Sequence, residues 1–135
     1  MKRFSNWKYP TIKDGKATKY NWIVQNLEGL VLGHETDIGA FSYINALHGV
    51  VIEDHVQIGS HWTIYSVSPI DDTSGKVMLQ KNCRIGSHST ILPGITIGKN
   101  SVVGAHSLVT KDIPDNAIAF GVPAKVIRQL DEDNE

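Results

Sequence analysis

A chain of 135 residues with 41% hydrophobic content suffices for one compact core and is too short for two of ordinary size. Thirteen Lys+Arg against fourteen Asp+Glu give a formal charge of -1, and this balance argues against a nucleic-acid binder or an anionic-membrane binder. The single cysteine, Cys83, rules out an internal disulfide and a Cys-rich zinc site.

The N-terminus, Met1-Lys2-Arg3-Phe4-Ser5-Asn6-Trp7-Lys8, has two early cations with no apolar stretch behind them. No segment approaches the length of a membrane span, so the expected location is cytoplasmic. Residues 1–19 show no repeat and read as a cap. From about Tyr20 to Ile113 an aliphatic anchor recurs every six positions: Leu32, Ile38 and Ile44; Ile52, Ile58 and Ile64; then Leu79, Ile85, Ile91, Ile97, Val103 and Val109. Four residues after each anchor stands a second position expected to point inward. It holds Thr36, Ser42, Val56, Trp62, Ser68, Cys83, Ser89, Ile95, Ser101, Ser107 and Ile113, with His48 in the same slot after Ile44.

A period of six fits neither an amphipathic helix nor an alternating strand. It fits a short strand and a turn per unit, three units closing a triangular coil of eighteen residues with the anchors stacked inside. A β-sandwich would instead show hairpin signals at about 8–12-residue spacing. Roughly six coils at ~4.8 Å each make an all-β parallel helix about 30 Å tall, with ends that need covering. The rhythm slips twice, to eight residues between Ile44 and Ile52 and to fifteen between Ile64 and Leu79, where residues 66–78 should project as a loop. Residues 114–135 read as the second cap, with a short helical tail and a frayed acidic end, Asp131-Glu132-Asp133-Asn134-Glu135. The whole of 1–135 reads as a single domain.

The run Ile85-Gly86-Ser87-His88-Ser89-Thr90-Ile91-Leu92-Pro93-Gly94-Ile95-Thr96-Ile97-Gly98, the run from Ser101 to Pro114, and Gly121-Val122-Pro123-Ala124-Lys125-Val126-Ile127 together resemble the C-terminal signature of the hexapeptide-repeat acetyltransferases. The resemblance is close over 79–128 and looser over 32–64. It implies a left-handed coil, against the usual right-handed crossover, acetyl-CoA as co-substrate with no metal, and a homotrimer with active sites between prisms. Within the family the chain is most similar to the compact N-acetyltransferases of surface-sugar pathways that act on dTDP-linked 3-amino-3,6-dideoxyhexoses. Relatives that acetylate galactosides place a histidine in the insertion, and residues 66–78 here contain none.

Acetyl transfer from a thioester requires a base for the acceptor and a donor for the developing oxyanion. Histidine is the natural base, and of the six, His48 lies where the repeat slips, one coil before the insertion. It is the expected general base, with His61 and then His55 in reserve. His55, His61, His88 and His106 each follow an anchor by three residues, an outward corner position. Asp71 and Asp72 in the insertion, with Glu53 and Asp54, are candidates to orient the base or bind the acceptor. Trp62 and Tyr65 are candidates to stack a base or sugar. Cys83 fills an inward slot, which points to core packing and to direct transfer without an acyl-enzyme. The resemblance implies that Ser87 and Ala105, eighteen residues apart, meet the pantetheine arm through main-chain atoms. It further implies that Lys111, Lys125 and Arg128 meet the phosphates and that Gly121, Val122 and Pro123 shape the adenine end.

Alternative readings are an O-acetyltransferase of a sugar or antibiotic hydroxyl, a γ-type carbonic anhydrase-like zinc protein, and a non-catalytic scaffold. The zinc reading needs a histidine pair five apart, whereas the spacings here are seven from His48 to His55 and six from His55 to His61. The Gly-Val-Pro-Ala-Lys segment has no purpose in a scaffold.

Overall fold

The computed structural model describes residues 5–131. Each hexad forms a short strand, because a β-branched anchor packs well on a pleated surface and a turn follows within four residues. In the first coil these are β1 (Ile23–Gln25), β2 (Leu30–Leu32) and β3 (Asp37–Ile38), and in the second β4 (Tyr43–Asn45), β5 (Val50–Ile52) and β6 (Gln57–Ile58). The third holds β7 (Thr63–Tyr65), a projecting pair β8 (Val67–Ser68) and β9 (Thr73–Ser74), then β10 (Val77–Leu79) and β11 (Arg84–Ile85). Above it come β12 (Thr90–Ile91), β13 (Thr96–Ile97) and β14 (Val102–Val103), then β15 (Leu108–Val109), β16 (Ala117–Gly121) and β17 (Ala124–Gln129).

Three parallel sheets form the faces of a prism. Face one is β1-β4-β7-β12-β15, face two is β2-β5-β10-β13, and face three is β3-β6-β11-β14-β16 with β17 added antiparallel. In-register pairing stacks the anchors into ladders, Val24, Ile44, Ile64, Ile91 and Val109 on face one, and all five side chains are buried. Face one is five strands deep, so the prism has five coils rather than the six expected and is ~24 Å tall at ~4.8 Å per coil. The difference is chain length spent at one corner: register partners Val24 and Ile44, and Ile44 and Ile64, are twenty residues apart. Ile64 and Ile91 are twenty-seven apart, and only Ile91 to Val109 keeps eighteen.

These extra residues correct two inward assignments. His48 is exposed, and Val50, two residues before the next anchor, fills the slot. Ser68 belongs to the β8–β9 hairpin, and Val77 fills its slot. The inward position precedes the following anchor by two, so any insertion in a turn displaces a count made from the anchor behind.

Trp62 is likewise fully buried. Register stacks it between Ser42 below and Ser89 above, two small side chains that leave room for the indole. It is therefore core, and its expected role in stacking a substrate is withdrawn.

The corners follow left-handed backbone geometry. His55, His61, His88 and His106 all have φ between 57° and 62°, as the corner reading requires. At the corner between faces three and one, Phe41, His61, His88 and His106 stack with ring centroids 5.1, 4.9 and 4.7 Å apart. At the corner between faces two and three Asn82 donates to Asn100, and Asn100 to Asn116, at 2.9 and 3.0 Å. Glycine is required beside the histidine stack, since a Cβ on Gly86 would lie 2.5 Å from the Ala105 nitrogen.

Both ends are covered. Below the first coil, Trp7 Nε1–H donates to Thr36 O at 2.8 Å, Tyr9 OH to Leu32 O at 3.1 Å, and Gly15 N–H to Val24 O at 2.7 Å, satisfying carbonyls that the open edge would expose. At the top, the expected helical tail is instead a β-hairpin, with β17 paired to β16 across a turn containing cis Val122–Pro123. Pairing gives the free edge of β16 a partner, and Val126 and Ile127 suit a strand better than an isolated turn of helix. Of the acidic end, Glu132 to Glu135 lie outside the described residues. Among the described residues no helix is long and apolar enough to cross a membrane.

Candidate functional site

The corner between faces one and two carries the insertions of the coil, at residues 26–29, 46–49 and 66–76. His48 lies in the middle one. Its backbone N–H donates to Ser66 Oγ at 3.0 Å, directly above by one coil, and the Ser66 hydroxyl donates to Asn45 O at 2.7 Å. Ser66 N–H also donates to Asn45 O, at 3.0 Å. Asn45 Oδ1 accepts from Leu47 N–H at 3.1 Å and from Asn26 Nδ2 at 3.3 Å. Ser66 is fully buried, so the backbone of His48 is pinned by a satisfied polar network while its imidazole points to solvent.

Ser66 is also the root of the β8–β9 hairpin, whose far side returns through Gly75 N–H to Ser66 O at 2.9 Å. The hairpin carries Asp71 and Asp72, both exposed. Thr73 Oγ1 donates to Asp71 Oδ1 at 2.8 Å. This bond first, and the Ser68 hydroxyl second, lower the Asp71 carboxyl from its ordinary value. Tyr65 is partly exposed on face one beside this corner, its ring 6.0 Å from that of Tyr43. Tyr43 OH donates in turn to Gln25 Oε1 and accepts from Asn45 Nδ2 at 3.4 Å.

Asn45 and Tyr43 are not among the candidates read from the sequence, and Ser66 stands there only as the start of the insertion, one coil on from His48. The signal for Asn45 was present, since it stands directly after an anchor, where glycine occurs in Ile38-Gly39 and Ile58-Gly59.

The reserve histidines lie at other corners. His55 Nδ1 is 3.6 Å from Glu35 Oε2 at the corner between faces two and three, and His61 lies inside the aromatic stack. Glu53 and Asp54 also lie between faces two and three, where Glu53 Oε1 accepts from Lys81 N–H at 3.1 Å and Asp54 Oδ1 from His34 N–H at 2.8 Å. Both carboxylates hold corner backbone. Cys83 is buried in the core, as expected.

The candidate cofactor contacts divide. Ser87 and Ala105 occupy successive coils at the corner between faces three and one, where His106 N–H donates to Ser87 O at 2.9 Å. Lys125 pairs with Phe120, whose ring lies against Gly104, so it belongs to the same corner. Arg128 pairs with Ile118, further along face three. Lys111, following β15, lies at the His48 corner of the top coil. Within one chain, therefore, Ser87, Ala105 and Lys125 line one edge of face one, while His48 and the hairpin stand at the other. Two cavities among the described residues lie elsewhere, under the first coil and on face two. Among the described residues no three His, Cys, Asp or Glu side chains converge as a metal site.

The bacterial transferase hexapeptide pattern of six repeats matches residues 76–111. A galactoside O-acetyltransferase of Lactococcus lactis is 44% identical over 92 residues, covering 62% of this chain and 44% of the relative, so the chain spans less than half that protein's length. A galactoside acetyltransferase solved with coenzyme A superposes with TM-score 0.77 at 33% identity, over 82% of this chain and 60% of the other. A point mutant of AntD, an N-acyltransferase of Bacillus cereus solved with dTDP-4-amino-4,6-dideoxyglucose and coenzyme A, superposes with TM-score 0.59 at 27% identity, over 83% and 72%.

Proposed function

The repeat of residues 76–111 belongs to the bacterial transferase hexapeptide family, and from that membership we propose that the chain is an acetyl-CoA-dependent acetyltransferase of a sugar acceptor. The observation that carries the reading is the His48 corner: an exposed imidazole on a backbone fixed by Ser66 and Asn45, at the root of a hairpin that bears two carboxylates. His48 takes the proton from the acceptor as its nitrogen or oxygen attacks the thioester carbonyl. The tetrahedral oxyanion collapses with expulsion of the CoA thiolate, and no covalent enzyme intermediate forms.

For the acceptor we favour the amino group of a nucleotide-linked dideoxy sugar of surface polysaccharide synthesis. The insertion lacks a histidine, Asp71 and Asp72 suit an ammonium group, and the AntD fold binds such a sugar with coenzyme A. A hydroxyl acceptor is the second reading, favoured by the 44% identity to a galactoside O-acetyltransferase. Ser87, Ala105, Lys111, Lys125 and Arg128 are proposed to hold acetyl-CoA. Because the first edge of face one carries most of these and the second carries His48, we propose that the site closes between neighbouring copies of a cytoplasmic homotrimer.

The test is thiol release from acetyl-CoA with dTDP- and UDP-linked amino-dideoxy sugars and with simple hydroxylated sugars, for the wild type and His48→Ala. Turnover confined to the amino sugars, with a loss of ~10²–10⁴-fold in the variant, is the expected result. Turnover confined to hydroxylated acceptors selects the second reading. A fully active His48→Ala removes His48 as the base.

A further inference from the structure

Six cations, Lys2, Arg3, Lys8, Lys13, Lys16 and Lys19, stand within residues 2–19 beside one carboxylate, Asp14, in a chain whose net charge is -1. The four that fall in the described residues, Lys8, Lys13, Lys16 and Lys19, stand at one end of the prism. There, between the N-terminal segment and the first coil, lies a half-open cavity of about 1040 Å³, lined by Lys8, Lys13, Lys16 and Lys19. Among the described residues none of these four lysines is in an ion pair. Asp14 is engaged elsewhere, its Oδ1 accepting Leu27 N–H at 2.7 Å. The carboxylate on the cavity wall is Asp37.

The remaining walls are aromatic and fixed. Trp7 is tethered through its Nε1–H bond to Thr36 O and packs edge-on to Tyr9 and His34 at 5.9 Å each. Trp22 is buried at the base of the core, whereas Tyr9 and Tyr20 leave about half their surface open, 53% and 49%. Lys13 and Lys16 are the ends of one tight turn, in which Lys16 N–H donates to Lys13 O at 3.1 Å around Gly15 at φ 69°. Lys19 Nζ stands over the Tyr20 ring, 5.1 Å from its centroid, so the wall already holds a cation against an aromatic face. Ammonium groups with no carboxylate partner beside half-exposed rings suit a ligand that carries an anion and a ring together.

We propose that this cavity is a second binding site, distinct from the His48 corner, for a small phosphate ester of a ring compound: a sugar phosphate or a nucleotide. The lysines take the phosphate and the rings of Tyr9 and Tyr20 take the sugar or base. A bilayer surface would instead meet a convex face. The inference does not depend on the acetyltransferase reading: Lys19 and Tyr20 stand at the foot of the corner between faces three and one, three coils below Ser87, and the His48 corner is on the other edge of face one.

Binding is read by tryptophan fluorescence of the full chain with coenzyme A saturating, titrating inorganic phosphate, glucose 1-phosphate and dTDP separately. One or both ring phosphates should bind saturably and about tenfold or more tighter than inorganic phosphate. Lys13→Ala/Lys16→Ala should weaken that binding about tenfold with an unchanged melting temperature, and His48→Ala should leave it intact. Which ring phosphate binds tells the sugar from the nucleotide source. Absence of saturable binding, equal affinity for inorganic phosphate, insensitivity to the double variant, or binding only to phosphatidylglycerol vesicles would each overturn the proposal.

Discussion

Ser42 and Ser66 are both buried serines, yet their hydroxyls have opposite circumstances. Among the described residues Ser42 Oγ has no hydrogen-bond partner, and neither has the indole N–H of its neighbour Trp62, whereas Ser66 Oγ both accepts from His48 N–H and donates to Asn45 O. Deleting an unpaired hydroxyl removes a desolvation penalty, while deleting a paired one leaves its partners stranded. Ser42→Ala is therefore expected to leave stability unchanged or raise it by up to about 1 kcal/mol, and Ser66→Ala to lower it by about 1–3 kcal/mol. Thermal or urea melts separate the two. Ser66→Ala should also lower kcat while the KM for acetyl-CoA stays put, because Ser66 fixes the backbone of His48 and does not meet the cofactor. An unchanged kcat would reduce Ser66 to a purely structural residue.

At the scale of elements, the β8–β9 hairpin is an excursion of nine residues: Ile64 to Leu79 spans fifteen positions where Ile91 to Ile97 spans six. Its two short strands pair only with each other. Excising residues 67–75 restores the eighteen-residue coil of Ile91 to Val109, so the prism should fold with its coenzyme A affinity intact. Acceptor turnover should fall ~10²-fold or more, as expected when substrate is no longer positioned. Fluorescence titration of coenzyme A beside steady-state kinetics reads both outcomes, and retained turnover would remove the hairpin from the acceptor site.

The same arithmetic explains what could be read from the sequence. The strands were legible because each anchor sits on a fixed hexad beat, and the four outward histidines were legible because a corner residue follows its anchor by three. His48 and Ser68 were misplaced because residues added in a turn shift the inward slot of the following hexad. Trp62 carried two readings, inward by its place after Ile58 and substrate-stacking by its aromatic type; its burial between Ser42 and Ser89 keeps the first and removes the second. The tail was misjudged because β17 takes its conformation from the edge of β16, a partner that no local pattern reveals. The N-terminal lysine cluster was hidden by a net charge near zero. The irregular turn at His48 was legible because a lapse in periodicity is visible without coordinates.

On the scale of the whole molecule, face one separates the two halves of the proposed chemistry, with Ser87 and Ala105 on one edge and His48 on the other. If each site takes its cofactor edge from one copy and its base from the next, a closed ring of three copies holds three equivalent sites. Subunit mixing then gives a quantitative outcome. Two inactive variants are prepared, His48→Ala and Ser87→Trp, the second chosen to fill the pantetheine groove with a bulky side chain. A site regains both intact halves only when its base comes from a Ser87→Trp copy and its cofactor edge from a His48→Ala copy. Random assembly at equal proportions satisfies this in about one site in four, so refolding the mixture together should restore about 25% of wild-type turnover. If base and cofactor edge come from the same chain, every site keeps one defect whatever its neighbours are, and the mixture stays as inactive as its parents. Wild type mixed with His48→Ala provides the control for reassembly, with about half of wild-type activity in either arrangement.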